Sequence, residues 1–138
     1  MVIAYIHVSY MFYINRWLYI TIFFKLYRWD QTDLTKFLFA SNKITAIPEE
    51  ISCFLALEVL DGHDNLISKI DPSIGLLKKL RSLVLDHNNL SQLPRELCLL
   101  ESLVLLRVSH NNLTSLFEEI DILDTLEELV SSAIFCEA

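Results

Sequence analysis

Residues 80–102 read LRSLVLDHNNLSQLPRELCLLES. The apolar spacing changes partway along this stretch. Leu83 and Leu85 alternate with Ser82, Val84 and Asp86, the period of a short strand with one face buried. Beyond Asn88 the intervals widen, with Leu90, Leu93, Leu97 and Leu100 three or four residues apart. One such unit carries more apolar side chains than it can enclose. It is stable only with a neighbour of the same kind stacked on it, so the fold turns on whether the stretch recurs.

It recurs without insertion or deletion. Windows of 23 residues begin at Leu34, Leu57, Leu80 and Leu103. Phe37, Leu60, Leu83 and Leu106 share one phase, and Phe39, Gly62, Leu85 and Val108 another. Asn42, Asn65, Asn88 and Asn111 fall together, followed by Ile44, Ile67, Leu90 and Leu113. Further columns run through Ile47, Ile70, Leu93 and Leu116, then Ile51, Ile74, Leu97 and Ile120, then Phe54, Leu77, Leu100 and Leu123. The pattern L-x-x-L-x-L-x-x-N-x-L-x-x-L-(P)-x-x-L is the signature of the leucine-rich repeat family, which the chain resembles over about two thirds of its length. The resemblance implies an α/β solenoid, a horseshoe fragment with a short-stranded parallel sheet on its concave face. It also implies a structural ladder of Asn42, Asn65, Asn88 and Asn111, each bonding turn backbone of its own and the adjacent repeat.

Three departures mark where the repeats differ. Pro48 and Pro94 follow the Ile47/Leu93 column, but the second repeat has Asp71 there with Pro72 next, and the fourth has Phe117. The return path is expected to differ locally at both. Gly62 stands where the column calls for a large apolar side chain, so a small gap or a bulky neighbour is expected.

The ends read differently from the middle. Residues 1–29 hold all five Tyr, both Trp and ten of the fifteen aromatics. Three readings stay open: a gene-model artefact, a membrane span over residues 2–24, or a hydrophobic cap on the first repeat. Residues 2–24 are long enough to cross a bilayer, but Asn15 and Arg16 near the centre oppose it. The run Trp29-Asp30-Gln31-Thr32-Asp33-Leu34-Thr35-Lys36 resembles the opening of the array in the leucine-rich repeat-containing protein 40 family, whose members carry many more repeats. We therefore divide the chain into 1–29, a four-repeat array over 30–125, and 126–138. The last segment reads as a partial fifth repeat, with Leu126 and Leu129 in phase, or as the end of a helix over residues 117–130.

Charge and cysteine content narrow the function. The net charge is −7. Residues 33–138 carry eight basic and seventeen acidic side chains, a balance of −9 that repels phosphate backbones and excludes nucleic acid as an expected partner. Cys53, Cys98 and Cys136 are odd in number and widely spaced, which fits neither a disulfide framework nor a thiolate zinc site. Cysteine usage favours a reducing compartment, the cytoplasm or the nucleus, with the membrane as the alternative if residues 2–24 anchor the chain. Asn89-Leu90-Ser91 and Asn112-Leu113-Thr114 match the glycosylation sequon, but this repeat places Asn and Ser/Thr there for its own reasons.

The exposed positions of the strands are the candidate binding residues. They are Lys36 and Leu38; Asp61, His63 and Asp64; Val84, Asp86 and His87; and Arg107, Ser109 and His110. Parallel strands about 4.8 Å apart set Leu38, Asp61, Val84 and Arg107 in one row, and Ser41, Asp64, His87 and His110 in another. Mixed acidic, imidazole and apolar groups on a rigid sheet suit a protein ligand. His63, Asp64, Asp86, His87 and His110 include zinc-compatible types, yet a His before the Asn is ordinary at a strand exit, so no metal is expected. No G-x-S-x-G, phosphate-binding loop or enclosed cleft points to catalysis, a cofactor or a small-molecule substrate. The expected function is a scaffold or adaptor binding protein on the concave face, with a role in intracellular signalling. The alternatives are a membrane-anchored repeat protein and a truncated product without independent function.

Overall fold

The computed structural model describes residues 2–5, 34–114 and 127–130. The strands among them are β1 (Val2–Tyr5), β2 (Leu34–Leu38), β3 (Ala46–Ile47), β4 (Val59–Asp61), β5 (Lys69–Ile70), β6 (Ser82–Val84), β7 (Leu105–Arg107) and β8 (Glu128–Val130). Six of them form one parallel sheet in the order β1-β2-β4-β6-β7-β8. Its register follows the 23-residue spacing: Phe37 faces Leu60, Leu60 faces Leu83, Leu83 faces Leu106, and Leu106 faces Leu129. β8 is thus in the phase of a fifth repeat, and residues 128–130 are strand rather than helix. Residues 115–126, with the apolar columns at Leu116, Ile120 and Leu123, lie outside the described residues.

The core sits between this sheet and the return paths. Leu57, Leu60, Leu80, Leu83, Leu103 and Leu106 are fully excluded from solvent, and Ile74, Leu77 and Leu97 close the far side equally well. Each repeat thereby supplies half of an apolar layer that its neighbour completes. In the first repeat the layer is aromatic, with the Phe37 ring 4.9 Å from Phe39 and 5.7 Å from Phe54. Phe39 is the bulky neighbour expected at Gly62. A Cβ at Gly62 would lie 2.4 Å from Phe39 Cε2 and 3.3 Å from Leu85 Cδ2. The phenylalanine of one repeat fills the space the next leaves empty.

The helical part of each of the first three repeats is a 3₁₀ turn; no α-helix occurs among the described residues. Glu49–Cys53, Pro72–Leu76 and Arg95–Leu99 are each five residues long and begin at or beside a proline. A short return path has room for one tight turn, and proline presets its first φ. The second repeat departs as anticipated. Asp71 caps its 3₁₀ helix by accepting the Ser73 N–H at 2.9 Å, and that bond holds the Asp71 carboxyl below its ordinary pKa. Its own N–H donates to the Ile47 carbonyl at 2.9 Å, next to the pairing of β3 with β5. Pro94 stands at the same place one repeat on and has no N–H to give Ile70. The second sheet has only the two strands β3 and β5 among the described residues.

β1 pairs in parallel with β2, Ala4 facing Phe37. Residues 2–5 of the alternative membrane span over residues 2–24 are therefore a sheet strand, and residues 6–24 lie outside the described residues. Among the described residues no helix is long and apolar enough to cross a membrane.

Candidate functional site: the concave face of the sheet

What exposes one face of the sheet and closes the other is the turn after each strand. Ser41, Asp64, His87 and His110 all adopt φ between 53° and 56°. This left-handed conformation is uncommon without glycine, and Asp and His are among the residues that tolerate it best. It swings the chain from the sheet into the core side, where the next residue is the ladder Asn.

The ladder closes the hydrogen bonding of the turn. Asn88 Nδ2 donates to the carbonyls of Leu85 (3.0 Å) and Asp86 (3.2 Å) in its own repeat and of Gly62 (3.0 Å) in the preceding one. Its Oδ1 accepts the Ile67 N–H at 3.0 Å. Asn65 repeats the arrangement on Phe39, Gly62 and His63, with Ile44 N–H as donor, and Asn111 repeats it on Leu85, Val108 and Ser109, with Leu90 N–H. Asn42 donates to Phe39 and Ala40. Asn65 and Asn88 are buried, so each unmet amide or carbonyl there would cost about 1–3 kcal/mol. These side chains set the geometry of the face and offer nothing to a partner.

The rows deduced from spacing are present. Leu38 faces Asp61, Asp61 faces Val84, and Val84 faces Arg107. In the turn row, Ser41 Oγ donates to Asp64 Oδ2 at 3.1 Å, and the His87 and His110 rings stack with centroids 4.2 Å apart at 12°. Lys36, Leu38, Asp61, His63 and Val84 are partly covered; Asp64, His87, Arg107 and His110 are exposed. His63 Nδ1 lies 2.6 Å from Asp61 Oδ1.

Two candidate contact residues are not on the surface. Asp86 is 5% exposed and Ser109 8%. The reason is a pair of bonds between the third and fourth repeats. Asp86 Oδ1 accepts the Ser109 N–H at 2.7 Å, and Asp86 Oδ2 accepts from Arg107 Nη2 at 2.8 Å. The strand's outward side does not guarantee exposure when a neighbouring chain turns over it. Conversely, Glu58 and Arg81 are exposed one position before their strands and were not anticipated. The second position of each window, through Thr35, Glu58, Arg81, Val104 and Glu127, carried the signal.

The stacked imidazoles present parallel faces rather than converging nitrogens. Among the described residues no three His, Cys, Asp or Glu side chains are grouped to hold a metal ion.

Stacked 23-residue repeats, one parallel sheet and an Asn ladder define a leucine-rich repeat solenoid. Residues 56–113 match the family model described as leucine rich repeat. Among solved structures, the chain is similar to a leucine-rich repeat protein of Leptospira interrogans, at 28% identity and a TM-score of 0.55, over 75% of this chain and 31% of that one. It is also similar in fold to an internalin from Listeria monocytogenes, at 21% identity and a TM-score of 0.62, over 74% and 29%. The chain spans about a third of the length of these structures.

Proposed function

We infer that the protein is an interaction module whose concave sheet face binds another protein. Leucine-rich repeat domains generally mediate protein–protein contacts. The observation that carries the reading here is the register: side chains from successive repeats stand side by side, from Lys36 to Arg107, on a backbone whose hydrogen bonds are already satisfied. A rigid surface with apolar centres and a polar rim suits a protein ligand, because little ordering entropy is lost on binding. Within this reading the protein acts as a scaffold or adaptor in a reducing compartment, the cytoplasm first, and Cys53 keeps an exposed free thiol there. The resemblance of residues 29–36 to the array opening of the leucine-rich repeat-containing protein 40 family supports an intracellular role of the same kind. No catalytic step, cofactor or small-molecule substrate belongs to this function.

Charge reversal tests the face, and burial decides where to place it. Asp86 is unsuitable, since reversing a buried, paired carboxylate would unfold the array. Val84→Glu puts a charge at the centre of the exposed rows with the fold retained. It should abolish capture of partners that a convex substitution, Leu99→Glu, leaves bound. Equal retention of partners by both variants refutes the reading.

A further inference from the structure

Arg107 and Asp86 cancel each other on the concave face, with Nη2 2.8 Å from Oδ2. The other charged side chains there are mostly acids. Asp61 accepts the His63 backbone N–H, and Asp64 accepts the Ser41 hydroxyl. Neutral donors leave a carboxylate its charge. Glu58 and Glu127, each one position before a strand, and Glu128 in β8 are exposed. Against these five carboxylates stand Lys36 and Arg81, a balance of 2 − 5 = −3 among the described residues. The face thus has the same sign as residues 33–138 as a whole, at −9. A cationic ligand is drawn to such a surface and an anionic one repelled.

The acids bracket an apolar floor. Asp61 faces Val84, and Leu105 faces Ser82 on one side and Glu128 on the other. Val84 and Leu105 are partly exposed, as is Val59 two residues before Asp61. A line from Asp61 to Glu128 therefore crosses Val84 and Leu105. Lys36 lies one strand beyond its start, on β2, and Arg81 stands one position before β6, away from it. Three strand intervals separate β4 from β8, about 14 Å at 4.8 Å each. In an extended chain crossing the strands, side chains at positions one, three and five share a face, and the first and last are about 13 Å apart. The two spacings match. The flexible stems of Lys and Arg take up the two-residue offset between Asp61 and Glu128.

We propose that the concave face takes an extended basic segment of a partner protein. A Lys or Arg of the segment meets Asp61, an apolar residue two positions on covers Val84 and Leu105, and a second Lys or Arg two further on meets Glu128. The proposal rests on the concave face being the binding surface and adds the chemistry of what binds. An acidic segment would meet five carboxylates, with Arg107 already engaged.

The test uses the full chain at about pH 8, above the range in which imidazole ordinarily titrates. Its ligands are pools of twelve-residue peptides, acetylated and amidated so that only side chains carry charge. Their cores are Lys-x-Leu-x-Lys, Gln-x-Leu-x-Gln and Glu-x-Leu-x-Glu, with a photo-crosslinker at one end; a fourth pool has the two Lys adjacent. The spaced Lys pool should bind about tenfold more tightly than the Gln pool, as two partly exposed ion pairs allow, and should weaken with added salt. The adjacent-Lys pool should bind less tightly than the spaced one, and the Glu pool least. The double variant D61N/E128Q should remove most of the Lys preference. E49Q/E50Q takes the same charge from the first 3₁₀ turn and should keep it; melting curves confirm that both variants fold. Crosslinks should fall on β4, β6 and β7. Equal binding of the spaced Lys and Gln pools, equal binding of the two Lys pools, or equal losses in the two double variants overturns the proposal. If crosslinks still map to those strands in that event, the concave reading stands without it; crosslinks on the 3₁₀ turns would overturn both.

Discussion

The second and third repeats have the same length, the same strand register and the same Asn geometry, yet they reach the same packing by different means. The third follows its pattern closely, with Leu85 in the core and Pro94 opening the 3₁₀ turn. The second has Gly62 where Leu85 would be, Asp71 where Pro94 would be, and Gly75 where Cys98 would be. Each departure is matched by something in an adjacent repeat. Phe39 occupies the space above Gly62, Ile47 takes the Asp71 N–H, and the Glu96 backbone closes over Gly75. In a solenoid the unit of fit is therefore the interface between repeats rather than the repeat itself.

Removing a side chain from the regular repeat should break the comparison most sharply. Leu85 is fully buried and no Phe39 stands ready to fill its place. Leu85→Gly should cost about 4 kcal/mol, combining a lost leucine with an unfilled cavity, and should be read in urea unfolding at equilibrium. The reciprocal change restores the pattern in the second repeat. Gly62→Leu alone should cost about 1–3 kcal/mol, because its Cβ would meet the Phe39 ring at 2.4 Å. Combined with Phe39→Leu it should regain most of that loss. Additive rather than compensating effects in this double-mutant cycle would show that the two positions do not share one space.

The contrast also shows what the sequence could disclose. The repeats, the sheet register and the ladder are legible because each is a column, and columns are visible without knowing any contact. The compensation at Gly62 was legible as a gap needing a filler. The identity of that filler was not, since Phe39 and Gly62 share a column and nothing in the period says which neighbour leans over. The burial of Asp86 and Ser109 was hidden for a similar reason. Alternation assigns a side chain to a face, but whether the face is open there depends on Arg107 and the Ser109 N–H, which belong to the next repeat. The left-handed turn at Ser41, Asp64, His87 and His110 is a column of mostly tolerant residue types, but residue type alone does not separate a positive φ from an exposed polar position.

The third departure sharpens the comparison by sterics alone. A Cβ on Gly75 would stand 2.7 Å from the Glu96 carbonyl oxygen and 3.0 Å from Glu96 Cβ. The obstruction is backbone, so the second and third 3₁₀ turns must part slightly. Gly75→Ala should destabilise by about 1–2 kcal/mol despite alanine's lower chain entropy when unfolded. Cys98→Gly, at the equivalent place one repeat on, should not produce the mirror-image gain if the tight approach is peculiar to the second repeat. Native-state hydrogen exchange at Leu77 and Leu100, whose amides bond Ile74 and Leu97, would localise the effect.

The smallest effect is expected on removing the Asp71 side chain alone, and further changes at that position separate the side chain's contribution from the backbone's. Asp71→Ala removes the cap on Ser73 and should cost about 0.5–1 kcal/mol. Asp71→Pro removes the cap and also the N–H that reaches Ile47, making the second repeat resemble the third; it should cost about 1 kcal/mol more. Asp71→Asn keeps an acceptor but cannot ionise, so its comparison with the parent isolates the charge. The folded carboxyl is held below its ordinary value of 3.8 by the Ser73 N–H, so the unfolded chain takes up its proton first as pH falls. The charge then stabilises the fold fully above that value and loses its contribution as pH drops through the lower folded pKa. The stability gap between the parent and Asp71→Asn should be constant near neutrality and shrink on acidification below about pH 4. A gap that widened there would mean that the Ser73 contact does not favour the ionised form.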